Sequence, residues 1–326
     1  IAGRWYLNVW GIPEGKFIAD AEVMYQGKIL FLDSIDKSGG LNLPLFYLDE
    51  NGITVKAYDY VAVGSSEVLN GTTYTLVDRA MLDTIMANDE DTSKVVTTGI
   101  TDMSNLFQSE AQHSYDVSSW DVSSVTDMSN MFNQSIDFNK DLSNWDVSKV
   151  ENMNNIFSRS IQFSSDISTW DVSNVTDMSY AFDRVTSFAG DLSNWNVSSV
   201  TDLSFAFLGV SASALSIADW NVSSVNNLES TFQYNDIGSQ DDITGWDVSN
   251  VTNFKLTFSG SNFNLDISNW DVSSGIDFTE MFKLSSSFNQ DLSCWGANPN
   301  ANFTNHAESA TAWKSYYHVT SICQPY

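Results

Sequence analysis

The chain has 326 residues, 41 acidic against 14 basic side chains, a formal net charge of -27 and 42% hydrophobic residues. That balance argues against a nucleic acid or an anionic membrane as partner, because phosphates are repelled, and 13% aromatic residues argue against a disordered acidic tail. No apolar run approaches the about 18 residues of a membrane helix, since Ile29 to Leu32 is bounded by Lys28 and Asp33, so direct membrane insertion is not expected.

The chain begins at Ile1 without an initiator Met or a signal peptide, which reads as a processed or trimmed product. Residues 1–45, with Trp5, Trp10 and Phe17, read as a β-rich segment whose start is cut away. Residues 46–98 read as hairpins and a helix that form an N-terminal cap. Asn51-Gly52 lies between Phe46-Tyr47-Leu48 and Ile53-Thr54-Val55, and Asn70-Gly71 lies between Val68-Leu69 and Thr72 to Leu76. Both have the turn chemistry of β-hairpins. Asp78 to Ala87 carries Ala80, Met81, Leu82, Ile85 and Met86 and is predicted helical.

From residue 99 to 295 a fixed period outranks every local signal. Tryptophan recurs at Trp120, Trp145, Trp170, Trp195, Trp220, Trp246, Trp270 and Trp295, and Phe107, Phe132, Phe157, Phe182, Phe207, Phe232, Phe258 and Phe282 run in step. Val125, Met128 and Phe132 stand at i, i+3 and i+7, which predicts a short helix with one apolar stripe, opened by a capping box at Ser124 and Asp127. The short segments around Leu142, Ile167, Leu192, Ile217, Ile243, Ile267 and Leu292 suit one parallel strand per turn. The fold class expected is an α/β repeat solenoid of eight turns, each with one short parallel strand and one short helix, and each burying its Trp, Val, Met, Phe and Leu only against its neighbours.

Residues 296–326 break this pattern and read as a C-terminal cap carrying Trp313 and Cys323. The only two cysteines, Cys294 and Cys323, would close a loop of about 30 residues, which is worth roughly 3 to 4 kcal/mol and points to an oxidising compartment. Two free buried thiols are the alternative.

The unit that runs from Phe138 through Asp141-Leu142-Ser143-Asn144-Trp145-Asp146-Val147-Ser148 to Phe157 resembles the BspA-like leucine-rich-repeat surface proteins, and within them the mycoplasma-type lipoprotein branch of unknown function. The resemblance covers about residues 99 to 295, with Asn51 to Arg79 similar to the lead-in such proteins carry. It implies a leucine-rich-repeat-like solenoid displayed outside a bacterial cell for adhesion or partner binding, and it carries no catalytic residues to transfer. Asn196 and Asn221 depart from the Asp that comes after Trp, Ser216 from the Asp before the strand, and Gly275 from the helix Val.

An acidic column at Asp116, Asp141, Asp166, Asp191, Asp242, Asp266 and Asp291 would place like charges about 5 Å apart, with a repulsion of roughly 0.8 kcal/mol per pair in water. It must be wet, tied to backbone N–H groups, or bridged by cations such as Ca²⁺. Asp141, Asp166 and Asp191 are the candidate ligands for such an ion; no loop has calcium-loop spacing, and no other cofactor is expected. Asp121, Asp146, Asp171, Asn196, Asn221, Asp247 and Asp271 accept Asn in place of Asp, so an acceptor oxygen for a turn matters there, not charge. Ser123, Ser148, Ser173, Ser198, Ser223, Ser249 and Ser273 are too many copies to be a nucleophile and are expected to tie backbone groups between turns. His113, His306 and His318 have neither metal spacing nor a nucleophile beside them.

Off the core columns, Tyr180, Phe205 and Leu256 share one place in the repeat, away from the apolar stripe. Either they cover gaps in the outer layer or they form an exposed contact patch. The function expected is a non-catalytic extracellular binding or adhesion module at a bacterial cell surface, with a protein or glycan partner. A glycan-binding accessory of a carbohydrate-handling complex and a structural subunit of a surface layer or filament are the alternatives.

Overall fold

A computed structural model describes the backbone of residues 21–25 and 28–32, and residues 43–109, 115–210, 215–235, 237 and 241–312. The chain divides into two compact units, one of residues 1–98 with 119–121 and one of residues 99–118 with 122–326.

In the first unit, β1 (Ala21–Tyr25) and β2 (Lys28–Leu32) pair antiparallel, Ala21 opposite Leu32. β3 (Phe46–Leu48) pairs antiparallel with β4 (Val55–Ala57). Between them the Asn51 carboxamide oxygen accepts from the N–H groups of Ile53 and Thr54, both at 2.9 Å. β5 (Ser66–Leu69) and β6 (Thr72–Leu76) are joined by Asn70 and Gly71 at φ 52° and 84°, the pair of left-handed residues a tight hairpin turn requires. The helix α1 (Arg79–Ala87) starts where expected, with Asp78 as N-cap accepting from the Met81 N–H at 2.9 Å. β7 (Val95–Val96) then adds to β6 in parallel. Phe46, Val55, Ala57, Leu76 and Val96 form the core. Ser119–Asp121 complete this unit: Val55 N–H donates to Ser119 O (2.9 Å), the Trp120 indole to Thr92 O (3.1 Å), and Thr98 Oγ1 to the Asp121 carboxylate (2.6 Å).

The second unit is held together between repeats. Eight single-residue parallel bridges join Asp102, Asp127, Asn152, Asp177, Asp202, Asn227, Asn253, Asp277 and Asn302, each to the next. From each bridge the N–H groups of alternate residues donate to the next turn: Met153 to Asp177 O (2.9 Å), Asn155 to Ser179 O (2.9 Å), Phe157 to Ala181 O (3.0 Å) and Arg159 to Asp183 O (2.6 Å). The intervening N–H groups close local turns, as Ile156 does to Met153 O (3.1 Å).

Two expectations are overturned by this arrangement. Where a short helix was predicted after each Trp, the described repeats contain no α-helix, because a left-handed residue falls every fourth position, as at Asn155 (φ 56°) and Arg159 (φ 61°), and a helix cannot continue through it. The β contact lies on the Asp127 column, not around Leu142; Leu142 and Trp145 instead close a turn, Trp145 N–H to Leu142 O at 3.1 Å. The bridge-side pattern also persists into residues 296–312. Phe278, Glu280, Phe282 and Leu284 donate to the carbonyls of Asn302, Thr304, His306 and Glu308, and Phe303 stacks on Phe278 at 4.6 Å. A ninth turn therefore stands where the sequence reads as a departure from the repeat.

The interior is built on the aromatic columns. Trp145, Trp170, Trp195 and Trp220 are buried in a parallel stack 6.4 to 6.5 Å apart, and each indole N–H reaches a carbonyl of the turn before, as Trp195 does to Ile167 O at 3.0 Å. Phe157 packs on Phe132 (5.5 Å), Phe182 (5.8 Å) and Phe163 (3.8 Å). Burying one such ring contributes roughly 2–3 kcal/mol, and each well-placed ring pair about 1 more. Buried polar residues also link turns: Ser160 Oγ donates to Phe132 O, and Asn235 Nδ2 to Phe207 O at 3.1 Å.

Candidate functional site

The turn after each bridge forces two residues, four apart, into the left-handed region, and their side chains make two columns on one face of the repeats. The first holds Asn105, Asn130, Asn155, Tyr180, Phe205, Ser230, Leu256, Glu280 and Asn305, with φ between 52° and 61°. The second holds Ser109, Gln134, Arg159, Arg184, Gly209, Tyr234, Gly260, Leu284 and Ser309. Asn and Gly tolerate this backbone best, and a bulky residue there costs of order 1–3 kcal/mol. Tyr180 (58°), Phe205 (59°) and Leu256 (57°) are the costly choices.

Tyr180 and Phe205 are brought together as half-buried rings, centroids 4.3 Å apart and 3° from parallel. That separation approximates the spacing of adjacent turns, so the ring normals run along the stack and the ring edges face outward. Leu256 is half-buried and does not extend the pair, because the buried Ser230 occupies the turn between it and Phe205. Burial, and then the neighbouring carboxylates of Glu229, Asp183 and Asp202, raise the Tyr180 phenol above its ordinary pKa.

Charged residues not singled out in the sequence stand in these two columns or next to them in the chain. Asp183 is buried, and its Oδ2 accepts from Ser158 Oγ (3.2 Å) and Arg159 Nε (3.4 Å), while Arg184 Nε lies 3.9 Å from Oδ1. Lys255 pairs with Glu229 at 2.7 Å, a hydrogen bond that holds its ammonium above the ordinary lysine pKa. Lys283 pairs with Glu280 (2.8 Å) and Glu308 (3.2 Å). Tyr234, 58% exposed, lies over Gly260, where a Cβ would sit 2.4 Å from its ring. The signal available in the sequence was positional: Arg159, Arg184 and Tyr234 share one column, and Gly209 and Gly260 in that column betray its left-handed backbone.

The acidic column serves the backbone. Asp141, Asp166 and Asp191 each accept from the N–H two residues on, Ser143 (2.9 Å), Ser168 (3.0 Å) and Ser193 (2.9 Å). The hydrogen bonds from these serines hold all three carboxyls below the usual aspartate pKa. No group of three or more metal-ligating side chains converges among the described residues. The second Asp/Asn column works in the same way, as Asp146 does with Ser148 at 3.1 Å. Ser148 thus closes its own turn, and the tie between turns falls to the next position, where Asn174 Nδ2 donates to Ser148 O (2.6 Å) and Ser199 Oγ to Ser173 O (2.7 Å). His306 Nδ1 lies 2.8 Å from Phe303 O; His113 and His318 lie outside the described residues. Cys294 is not a free thiol, and its expected partner Cys323 also lies outside the described residues. No helix among the described residues is long and apolar enough to cross a membrane.

No curated protein and no solved structure matches the chain. Three overlapping stretches, residues 78–170, 142–241 and 201–319, match a single family and together span more than half of the sequence. By that match the chain belongs to the repeat family described as Mycoplasma protein of unknown function, DUF285.

Proposed function

We propose that this chain is a non-catalytic binding or adhesion module of a bacterial cell surface, a leucine-rich-repeat-like solenoid of the BspA-like kind that docks a protein partner on the face bearing Tyr180 and Phe205. The stacked, half-exposed Tyr180–Phe205 pair carries this reading. Asn155, one turn earlier, shows that the backbone there accepts a cheaper residue. Two aromatic rings at a strained position, only half buried and packed on each other, break a local rule for a limited return, which is the mark of a site kept for contact.

A protein partner is favoured over a glycan because the two rings spend a face on each other and turn their edges outward. Sugar stacking needs open faces. The wider reading includes a Cys294–Cys323 bridge, an extracellular location and anchoring by a flanking segment; mass spectrometry of the unreduced chain after proteolysis tests the bridge directly.

The experiment for the docking face compares the full chain with Tyr180→Ser/Phe205→Ser on arrays of bacterial and host surface proteins and of glycans. A protein ligand should be retained by the unaltered chain and weakened at least about tenfold by the double substitution. Binding indifferent to that substitution, a glycan as the sole ligand, or turnover of a hydrolase substrate panel would sink the proposal.

A further inference from the structure

Resting on that docking face, we infer that Arg159 and Arg184 form a carboxylate-reading subsite beside the Tyr180–Phe205 pair, which takes an acidic side chain of the protein partner next to an apolar one. The two arginines occupy the same register position in consecutive turns, each four residues after its own first-column residue, Asn155 and Tyr180. Both are anchored through the backbone, Arg159 N–H to Asp183 O at 2.6 Å and Arg184 N–H to Leu208 O at 2.7 Å. Both are about half exposed, with side-chain exposures of 52% and 53%.

Between them lies Asp183, a carboxylate 2% exposed. Only the Nε edge of each guanidinium faces it, at 3.4 Å for Arg159 and 3.9 Å for Arg184. Asp183 Oδ1 has no hydrogen bond at all. One buried charge therefore faces two cations without saturating either, and the outer Nη donors of both forks stay available. A guanidinium fork matches a carboxylate with two parallel hydrogen bonds, which an ammonium does not reproduce.

The next position of the column is Gly209, whose missing Cβ would meet Arg184 Cγ at 3.5 Å. The stem of Arg184 therefore leans over the turn that carries Phe205. The outward ring edges carry the positive rim of the aromatic quadrupole, so rings and guanidiniums together favour an anionic group. Of the other carboxylates near Tyr180, Glu229 is paired with Lys255 at 2.7 Å and Asp202 accepts from Ser204 N–H and Asn227 Nδ2, so around Asp183 two cations face one carboxylate, a complement to an acid and not to a base.

Fluorescence anisotropy on the full chain tests this with three labelled probes: a decapeptide alternating Glu and Phe, one alternating Lys and Phe, and polygalacturonate. The Glu–Phe peptide should bind, the Lys–Phe peptide at least about tenfold more weakly, and polygalacturonate no better than the latter. Arg159→Gln/Asp183→Asn/Arg184→Gln removes both cations without leaving a buried charge unpaired, so it should melt within a few degrees of the unaltered chain while losing at least about tenfold in affinity for the Glu–Phe peptide. Undiminished binding by this triple variant, equal or tighter binding of the Lys–Phe peptide, preference for polygalacturonate, or no binding of the Glu–Phe peptide to the unaltered chain each overturns the inference. If the triple variant keeps an array partner that Tyr180→Ser/Phe205→Ser loses, the docking face stands and its acidic specificity falls.

Discussion

The two units solve the same problem in opposite ways. In residues 1–98 the hydrogen bonds of β3 to β6 close within short hairpins, and one cluster of Phe46, Val55, Ala57, Leu76 and Val96 supplies the core. In the repeats local turns alternate with bonds that reach about 25 residues away, from one turn into the next, and the core is a set of columns with no centre. A defect in the first kind of unit reaches no further than that one cluster and the strands around it. A defect in the second is shared with the turns on either side, since each turn is the template for its neighbours.

The sharpest way to break that contrast is Trp195→Ala. The ring is 4% exposed, stacks on Trp170 and Trp220, and donates to Ile167 O. We expect a loss of about 3–5 kcal/mol in urea unfolding, with hydrogen exchange accelerated in the turns of Ile167 and Trp220 as well as its own. Protection lost in the substituted turn alone would show that the repeats are not interdependent. A smaller effect of opposite sign is expected from Ser230→Gly. Ser230 combines φ 55° with a buried hydroxyl that has no partner, so glycine removes two costs at once and should stabilise the chain by about 1 kcal/mol. In the first unit, Gly71→Ala at φ 84° should cost about 1 kcal/mol, with the loss of exchange protection limited to β5 and β6.

The smallest effects come from acid, and they fall on both units together. Hydrogen bonds from Lys94 and then Ser93 lower Asp91 from 3.8 to about 2, and serine donors lower Asp141, Asp166 and Asp191. A carboxyl whose folded pKa is depressed adds stability that is present above its unfolded value and lost as pH falls through the folded one. The contribution of these groups to the melting temperature should therefore be constant from pH 7 to about pH 4 and decline between about 4 and 2. Asp91→Asn should remove only the share belonging to the first unit, as monitored by circular dichroism melts of both proteins.

What could be read from the residues depended on the range of the interaction that placed them. Asn70-Gly71 and the Asp78 cap act within a few residues, and their hairpin and helix stand where the sequence puts them. The Trp and Phe columns were visible because an aromatic repeated at fixed spacing has few fates other than burial against its copies. The turn between them was misread because Val125, Met128 and Phe132 fit a helical stripe as well as they fit a succession of tight turns; Asn130, Asn155 and Asn305, with Gly209 and Gly260, were the residues that distinguished the two. The bridge column was invisible because Asp and Asn are poor strand formers, and only their pairing with the next turn makes them one. Of the candidate contact residues, Tyr180 and Phe205 could be paired by register alone. The Arg159, Asp183 and Arg184 cluster could not, because it depends on a carboxylate in the turn of Arg184 that reaches across to Arg159 in the turn before.

After each bridge, as at Met153, Asn155, Phe157 and Arg159, alternate N–H groups point to the next turn, while before it, as from Glu151 to Thr126 O, they point back, so the two ends of the ladder are chemically different. Inserting or excising a whole block of about 25 residues leaves both ends as they were and moves only the distance between them. Length is thus a freely adjustable quantity in this scaffold, and duplication inside the coding sequence can lengthen or shorten the reach of the contact face without any new interface having to be invented.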